Sequence, residues 1–128
     1  MRALTVRQPW AWAIIHAGKD VENRTRATSH RGPMAIHASK NCPLAYYETA
    51  AAEIERIAGK RPPPLEELPR GCVVGTVELV DCVRGDGSPW AQPAQVHWKM
   101  RAPRARRSKP VRGALYLFEV NDRMMEAA

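Results

Sequence analysis

The sequence predicts a single α+β domain in which a small β-barrel or curled sheet carries helices on its flank. The chain has 128 residues, a length that fits one domain and can bury a core without disulfide bonds. Several stretches show the alternation typical of strands, whereas only two show the helical spacing of apolar residues. Many strands beside few helices favour this architecture, and we assign residues 1–128 to one domain.

Alternation of apolar and polar side chains predicts where the strands lie. In the longest of them Val77, Leu79 and Val83 point to one face, and Gly75 permits a close approach or a bulge. The predicted strands cover residues 3–7, 34–39, 72–83, 95–100 and 111–120. Residues 102–110 are excluded from the core because positive charges and prolines interrupt them.

Two segments have the apolar spacing of helices. The first is predicted to begin at Pro9, to be apolar on nearly all sides over residues 10–17 and to stop at Gly18. The second is predicted over residues 43–58 and stops at Gly59. Because a helix that is apolar all round is packed on several sides, the residues after Gly18 are expected to follow a rigid, buried element.

Positive charge is concentrated in two parts of the chain, whose net charge is +7. Residues 99–112 contain seven Lys or Arg and no acid, and residues 1–40 contain seven against two acids, whereas residues 41–98 contain five against eight. This layout suits a polyanion or a phosphorylated ligand, so we expect RNA or a nucleotide-like ligand as the partner. A surface that only keeps the protein soluble is the alternative.

Cysteines, histidines and hydropathy indicate a cytoplasmic protein without a metal or a cofactor. Cys72 and Cys82 flank one predicted strand and would lie about 33 Å apart, too far for a disulfide, so they and Cys42 are expected to be reduced. The four histidines are scattered, and none neighbours a cysteine at the spacing of a zinc site. No apolar run approaches the roughly 20 residues of a membrane span, so we expect no membrane partner.

The hexapeptide KDVENR, residues 19–24, concentrates charged and amide side chains directly after the first predicted helix. If it is extended, Glu22 and Arg24 share one face because side chains alternate along a strand. Their pairing would fix a guanidinium fork beside the ammonium of Lys19, a combination suited to a phosphate or a planar base. The alternative is a surface turn whose salt bridges contribute little.

Residues 19–24 resemble the G-x-K-x-x-E-x-R signature of ASCH domains, and short flanking motifs fit the same family in order. These are RQPW at 7–10, RGP at 31–33, PRG at 69–71, SPW at 88–90, HW at 97–98 and RG at 112–113. Together they cover the chain from residue 2 to about residue 121. The signature glycine is Ala17 here and a glycine follows at Gly18, so we expect a local change in the turn and a preserved site.

The resemblance implies a PUA-like fold, a small β-barrel with a cleft lined by the signature residues. Proteins of this superfamily bind RNA or modified bases. Some relatives are enzymes: one is a metal-dependent ribonuclease, and others are amidohydrolases that act on N4-acetylcytidine and use a Lys, a Thr and a Glu. Lys19 matches their lysine, Glu22 stands at the position of their threonine nucleophile, and Glu78 is the candidate for their glutamate. Because a carboxylate cannot replace a hydroxyl without another mechanism, we expect recognition rather than that reaction.

Each residue of the expected cleft has a structural alternative. Lys19 could contact phosphate or act as a general base, or simply be exposed after the helix. Glu22 could accept a hydrogen bond from an exocyclic amine of a base or merely orient Arg24, which itself could hold phosphate. Arg7, Arg31 and His37 are expected to line the same cleft, although a lone histidine is more often structural.

The later basic segment supplies further candidates. Trp98 stands beside it and could stack on a base, whereas core packing is favoured for Trp10 at the start of a buried helix. Arg112 is expected to help build the cleft. Within the basic segment, further phosphate contacts are expected from Arg104, Arg106 and Arg107, because binding of these side chains to phosphates would release counterions. The alternative is that the segment is a mobile solvated loop.

The sequence therefore predicts an RNA- or nucleotide-binding domain with a basic cleft around Lys19, Glu22 and Arg24. A hydrolase acting on RNA or on a modified nucleoside is the first alternative, and the question whether the protein is an enzyme stays open at this point. A protein-interaction module with an unknown partner is the second alternative.

Overall fold

A curled mixed β-sheet with two helices forms a half-barrel, which confirms the predicted α+β class. The computed structural model describes residues 1–128. The helices are α1 (Trp10–His16) and α2 (Leu44–Ala58), and two short 3-10 helices lie at Leu65–Glu67 and Asp122–Met124. The strands are β1 (Arg2–Val6), β2 (Val21–Arg24), β3 (Gly32–Ala38), β4 (Cys72–Val83), β5 (Val96–Ser108), β6 (Leu117–Glu119) and β7 (Met125–Ala127).

The strands follow the order β2-β5-β4-β3-β1-β6, and β7 pairs with the C-terminal part of β5. β1 and β3 are parallel, with Thr5 opposite His37, and every other pair is antiparallel. The carboxyl ends of β1 and β3 therefore lie side by side, and the chain enters α1 from this edge. Loops that leave the same edge build the groove of the candidate site.

The core lies between the sheet and the two helices. α1 is buried on several sides, as its sequence predicted, and Ile14 joins Leu4, Ile36 and Trp98 in the main apolar cluster. α2 turns Ile54 toward α1 and the start of β2. Neither α-helix has the length and apolar character that a membrane span requires. The site is thus mounted on a packed scaffold.

Gly75 in β4 lets α1 approach the sheet closely. An added Cβ would collide with Ile15 Cδ1 and would lie 2.7 Å from the carbonyl oxygen of Arg104. We therefore expect Gly75→Ala to lower the free energy of unfolding by about 2 kcal/mol, because an over-packed core must shift. Urea unfolding measures this loss. Gly87→Ala is the matched control, since its Cβ would meet open space, and equal losses in the two variants would contradict the close approach.

The prediction that excluded residues 102–110 from the sheet is wrong, because β5 continues through the basic segment to Ser108. The register of the β4–β5 pair shifts between Thr76 and Glu78, where β5 carries one extra residue and forms a bulge. Pro103 lies in this bulge, a place where a strand tolerates proline. Most arginines of the segment are exposed, so a charged stretch extends the strand without entering the core.

The strand predicted over residues 111–120 is only partly right, since sheet pairing there is confined to β6. Residues 110–115 instead run as a strap over the ends of β1 and β3. The backbone N–H of Val111 donates to the carbonyl oxygen of Gly71 at 2.9 Å, and its carbonyl oxygen lies 2.6 Å from Nε2 of His37. These contacts fix the strap against the sheet. β7 is an element that the sequence did not predict.

The three cysteines are free thiols in the structure. Cys42 and Cys72 are buried, and burial raises the pKa of both thiols. Cys82 is half-buried beside the core. A raised pKa lowers the thiolate fraction at neutral pH, so Cys42 and Cys72 are placed as packing residues rather than as nucleophiles.

Candidate functional site

A groove crosses the sheet edge at the carboxyl ends of β1 and β3. It consists of three cavities of about 700, 320 and 710 Å³, which we call the inner, middle and outer cavities. The inner cavity lies between β2, α2 and residues 89–93, the middle one contains Arg7 and Arg24, and the outer one lies beside the strap. Neighbouring cavities adjoin one another, because inner and middle share the wall residues Trp10, Glu22 and Tyr46, and middle and outer share Thr5 and Ser39.

Lys19, Glu22 and Arg24 meet at the junction of the inner and middle cavities. Lys19 Nζ donates to Glu22 Oε1 at 2.9 Å and to the carbonyl oxygen of Val21 at 2.6 Å. Arg24 Nη1 lies 3.5 Å from Glu22 Oε2, on the face that the alternation predicted. The exposed fractions of the side chains rise from 3% for Lys19 through 12% for Glu22 to 29% for Arg24. A buried ion pair thus leads outward to a partly exposed guanidinium.

The end of α1 sets the position of Lys19. Ala17 caps the helix, and Gly18 takes the left-handed conformation with φ of 76°, which turns the chain toward β2. The backbone N–H of Lys19 then donates to the carbonyl oxygen of Ala13 at 3.1 Å. The left-handed position therefore falls at Gly18, and the side chain of Lys19 reaches Glu22.

The cluster offers hydrogen-bond donors and an acceptor side by side. Two of the three ammonium protons of Lys19 go to Val21 and Glu22, and Nζ lies 5.7 Å from the centroid of the Trp10 ring. Glu22 Oε2 has only its long contact with Arg24, so it can accept from a ligand N–H. The Arg24 guanidinium has protons left to donate. Such a set can hydrogen-bond the edge of a base or a phosphate.

Aromatic side chains line the groove beside this cluster. Trp10 and Tyr46 are half-buried, and Trp90, which is 7% exposed, closes the inner cavity. The guanidinium of Arg7 lies 4.7 Å from the centroid of the Tyr46 ring. Trp10 also packs against the core, so the predicted core packing describes one part of its surface. Half-buried rings of this kind present faces on which bases can stack.

Residues 89–93 form a wall of the inner cavity, and hydrogen bonds hold the whole segment 86–93 in place. Asn23 donates to the carbonyl oxygen of Trp90 at 3.0 Å and accepts from the backbone N–H of Gln92 at 2.9 Å. His97 Nδ1 accepts from another backbone N–H of this segment at 3.0 Å, and its Nε2 donates to the carbonyl oxygen of Gln92 at 2.7 Å. Asn23 of β2 and His97 of β5 therefore hold the wall in one position through hydrogen bonds to its backbone.

A family model for the ASCH domain matches residues 4–109 of the chain. The chain belongs to the ASCH domain family. Activating signal cointegrator 1 of Homo sapiens is 37% identical over 82 residues, and activating signal cointegrator 1 of Mus musculus is 33% identical over 81 residues. Each match covers 62% of this chain and 14% of the relative, so the chain corresponds to a small part of those proteins. The match confirms the family that the motifs indicated, and with it the PUA-like fold.

Arg31 and Glu78 are among the predicted residues that lie outside the groove of this ASCH domain. Arg31 is ion-paired with Asp81 at 3.2 Å and lines none of the three cavities. Glu78 is ion-paired with Arg101 at 2.8 Å, and the hydrogen bond from Arg101 lowers the pKa of its carboxyl group. The structure brings neither residue to the Lys19 cluster. Glu78 is therefore not placed to act as a catalytic glutamate of this cleft.

The stacking role predicted for Trp98 is wrong. Its side chain is fully buried, its indole N–H donates to the carbonyl oxygen of Arg26 at 2.9 Å, and Tyr116 packs edge-on against it. In the β2–β5 pair Trp98 lies opposite Glu22, so it shares a face with the cluster and supports the strand that carries it. No face of the ring is open to a base.

The remaining predicted residues of the ASCH domain divide between two surfaces. His37 and Arg112 line the outer cavity. Arg106 in β5 donates to carbonyl oxygens of β7, and Arg104 and Arg107 are exposed on the same strand. The alternative of a mobile solvated loop is thus wrong up to Ser108, because the segment is a paired strand to that point. Like Arg31, these three arginines of β5 line none of the groove's three cavities.

Tyr46 and residues 89–93 are the wall elements that sequence reasoning missed. Both reach the groove only through tertiary packing, since α2 and the segment before β5 are distant from residues 19–24 in sequence. One signal was available for Tyr46: it precedes the buried Tyr47 on α2 and so falls at the margin of the helix's buried face.

Proposed function

We propose that this ASCH domain binds RNA or a nucleotide-like ligand in the groove, with Lys19, Glu22 and Arg24 at its centre. The observation that carries the proposal is the buried Lys19–Glu22 pair, which opens through Arg24 into a groove with aromatic walls. Buried ion pairs contribute little net stability, because desolvation offsets their attraction. A pair at the junction of two cavities therefore fits ligand recognition better than stabilisation of the fold.

A base fits the inner cavity by stacking and by hydrogen bonding. Trp10 and Tyr46 supply ring faces at its entrance, and stacking on an aromatic side chain contributes about 1–3 kcal/mol per base. Glu22 Oε2 is the acceptor for an exocyclic amine, the group through which a carboxylate recognises a base. The wall clamped by Asn23 closes the cavity from the other side.

Phosphates would lie toward the middle cavity. Arg7 and Arg24 both line it, and a guanidinium fork can bind two phosphate oxygens at once. The exposed Arg104 and Arg107 of β5 lie outside the groove but add to the positive potential of the molecule. They support affinity for a polyanion without reading its sequence.

The groove supports binding better than hydrolysis. Glu22, at the position of the amidohydrolases' threonine, is engaged by Lys19 at 2.9 Å. The Ser/Thr hydroxyl of the inner cavity belongs to Thr49, which donates to the carbonyl oxygen of Ala45 at 3.2 Å rather than to a base. Incubation with N4-acylated cytidine, and with RNA with and without a divalent metal, separates the cases. Turnover that depends on Lys19 would overturn the assignment as a binding domain.

Titration of a labelled single-stranded RNA at several salt concentrations tests the proposal. We expect the logarithm of the association constant to fall linearly with the logarithm of salt concentration, with a slope of about −0.7 for each phosphate neutralised. Fluorescence anisotropy measures this dependence. An RNA that does not bind, or a flat response to salt, would contradict the proposal. Salt-insensitive binding of a protein partner would then favour the protein-interaction module.

Arg24→Ala is expected to weaken RNA binding about tenfold, since a hydrogen bond to a charged group contributes about 1.5–3 kcal/mol. The change removes a guanidinium from the middle cavity and leaves the Lys19–Glu22 pair in place. Arg31→Ala is the matched control, because it removes the same charge from a residue outside the groove. If the two variants lose equal affinity, the contribution of Arg24 is only its charge and the cleft is not the site.

A further inference from the structure

The outer cavity carries positive charge that no carboxylate of the protein neutralises. Lys40 and Arg112 line it and are exposed, and no Asp or Glu belongs to its walls. Neither side chain takes part in an ion pair, whereas Arg31 is paired with Asp81 and Arg101 with Glu78. Ser39 adds a hydroxyl that accepts from the backbone N–H of Asn41 at 3.2 Å and keeps its own proton to donate.

The floor of the outer cavity is built by tight contacts under the strap. His37 is 2% exposed, and its Nε2 donates to the carbonyl oxygen of Val111 at 2.6 Å while its Nδ1 lies 3.1 Å from Thr5 Oγ1. A Cβ on Gly113 would lie 2.8 Å from both His37 Cε1 and Thr5 Oγ1. Glycine at this position therefore lets the strap lie against the ring. His37 positions the strap, because both of its ring nitrogens are used inside the protein.

The strap that closes this cavity lies beyond the part of the chain that the family model matches, which ends at residue 109. The family model therefore does not cover Arg112 or Gly113, although the RG motif at 112–113 follows the order of the family's motifs. The cavity nevertheless adjoins the middle cavity, which Glu22 and Arg24 line, because Thr5 and Ser39 belong to the walls of both.

We propose that the outer cavity is a second phosphate subsite, which binds the backbone of a nucleotide next to the one in the inner and middle cavities. Lys40 supplies an ammonium, Arg112 a guanidinium fork and Ser39 a hydroxyl, and these are the donors that phosphate oxygens accept. The inference rests on the proposed function and narrows it: the ligand is a single-stranded oligonucleotide rather than a free nucleotide, since only a chain reaches both ends of the groove.

Two probes separate the subsites, a nucleoside monophosphate and a single-stranded RNA octamer. We expect the double variant Lys40→Ala/Arg112→Ala to bind the octamer at least tenfold more weakly, with a salt slope smaller by about 0.7 for each phosphate that the variant no longer neutralises. Its affinity for the monophosphate should equal that of the unmodified protein. Arg31→Ala/Lys109→Ala is the matched control, because it removes one guanidinium and one ammonium from outside the outer cavity and should leave both affinities nearly unchanged.

Gly113→Ala provides a second test that keeps every charge. The added Cβ displaces the strap from His37, so we expect the same selective loss of octamer binding. Octamer binding by the double variant that matches the unmodified protein would overturn the second subsite while leaving the proposed function intact. An unmodified protein that binds neither probe would overturn the proposed function itself, and the subsite with it.

Discussion

Lys19→Met is expected to lower the free energy of unfolding by about 3 kcal/mol and to remove RNA binding in the groove. The substitution keeps an unbranched side chain but leaves the Glu22 carboxylate, 12% exposed, with only its 3.5 Å contact to Arg24. Loss of one partner of a buried ion pair costs about 3–5 kcal/mol, a large share of the roughly 5–15 kcal/mol that stabilise a domain. Urea unfolding measures the stability, and anisotropy measures the binding.

Glu22→Gln in the Lys19→Met background isolates the coupling between the two side chains. The amide that replaces the Glu22 carboxylate would carry no charge, so the double variant lacks the buried negative charge that Lys19 no longer balances. We therefore expect the double variant to be more stable than Lys19→Met alone but still unable to bind RNA. The interaction of two contacting residues appears as a departure from additivity. If the loss of unfolding free energy in the double variant equals the sum of the losses in Lys19→Met and Glu22→Gln, the two side chains are not coupled. That result would contradict the buried pair as the centre of the site.

Trp98→Ala is expected to cause the largest loss of stability, about 4 kcal/mol, because removal of a fully buried tryptophan leaves a cavity in the core. The same change frees the carbonyl oxygen of Arg26 from its indole partner and withdraws support from the strand that carries Glu22. Thermal and urea unfolding measure this effect. RNA binding should decline only in proportion to the unfolded fraction.

Trp98→Phe distinguishes packing from ligand contact. Phenylalanine keeps an apolar ring but loses the hydrogen bond to Arg26, so the expected destabilisation is smaller, about 1–2 kcal/mol. Both variants should retain salt-dependent RNA binding under conditions in which they are folded. A folded Trp98→Ala protein of normal stability without RNA affinity would restore the stacking role that burial excludes.

Predictions that depend on local sequence agree best with the structure. The long strand at residues 72–83 has the bounds that its alternation predicted, and α1 is buried on several sides. In residues 19–24 the period of two placed Glu22 and Arg24 on one face, where the structure pairs them. These features follow from side-chain spacing alone, which the sequence contains in full.

Predictions that depend on tertiary contacts agree less well. The composition of the basic, proline-containing stretch argues against a place in the sheet, yet a bulge at Pro103 lets β5 continue with its arginines exposed. The position of Trp98 beside that stretch suggests a ligand contact, whereas the β2–β5 register turns it into the core under Glu22. Register and bulges depend on the partner strand, and a single strand's composition does not specify them.

The position of the groove explains which charges matter. The cations that adjoin the Lys19 cluster are Arg7 and Arg24, and the outer cavity adds Lys40 and Arg112. The most basic stretch of the sequence contributes mainly to β5 instead. A high local charge in the sequence therefore marks a surface that attracts polyanions, while the binding contacts are set by which side chains the sheet edge brings together.

NMR mapping of RNA binding on the ¹⁵N-labelled protein tests the central claim most directly. Addition of a single-stranded RNA octamer is predicted to shift the indole N–H of Trp10 and the backbone amides of Lys19, Glu22 and Arg24, together with those of the strap. The amides of residues 104–107 in β5 should shift less. Changes confined to residues 104–107, with the Trp10 indole and the Lys19 cluster unaffected, would contradict the groove as the binding site.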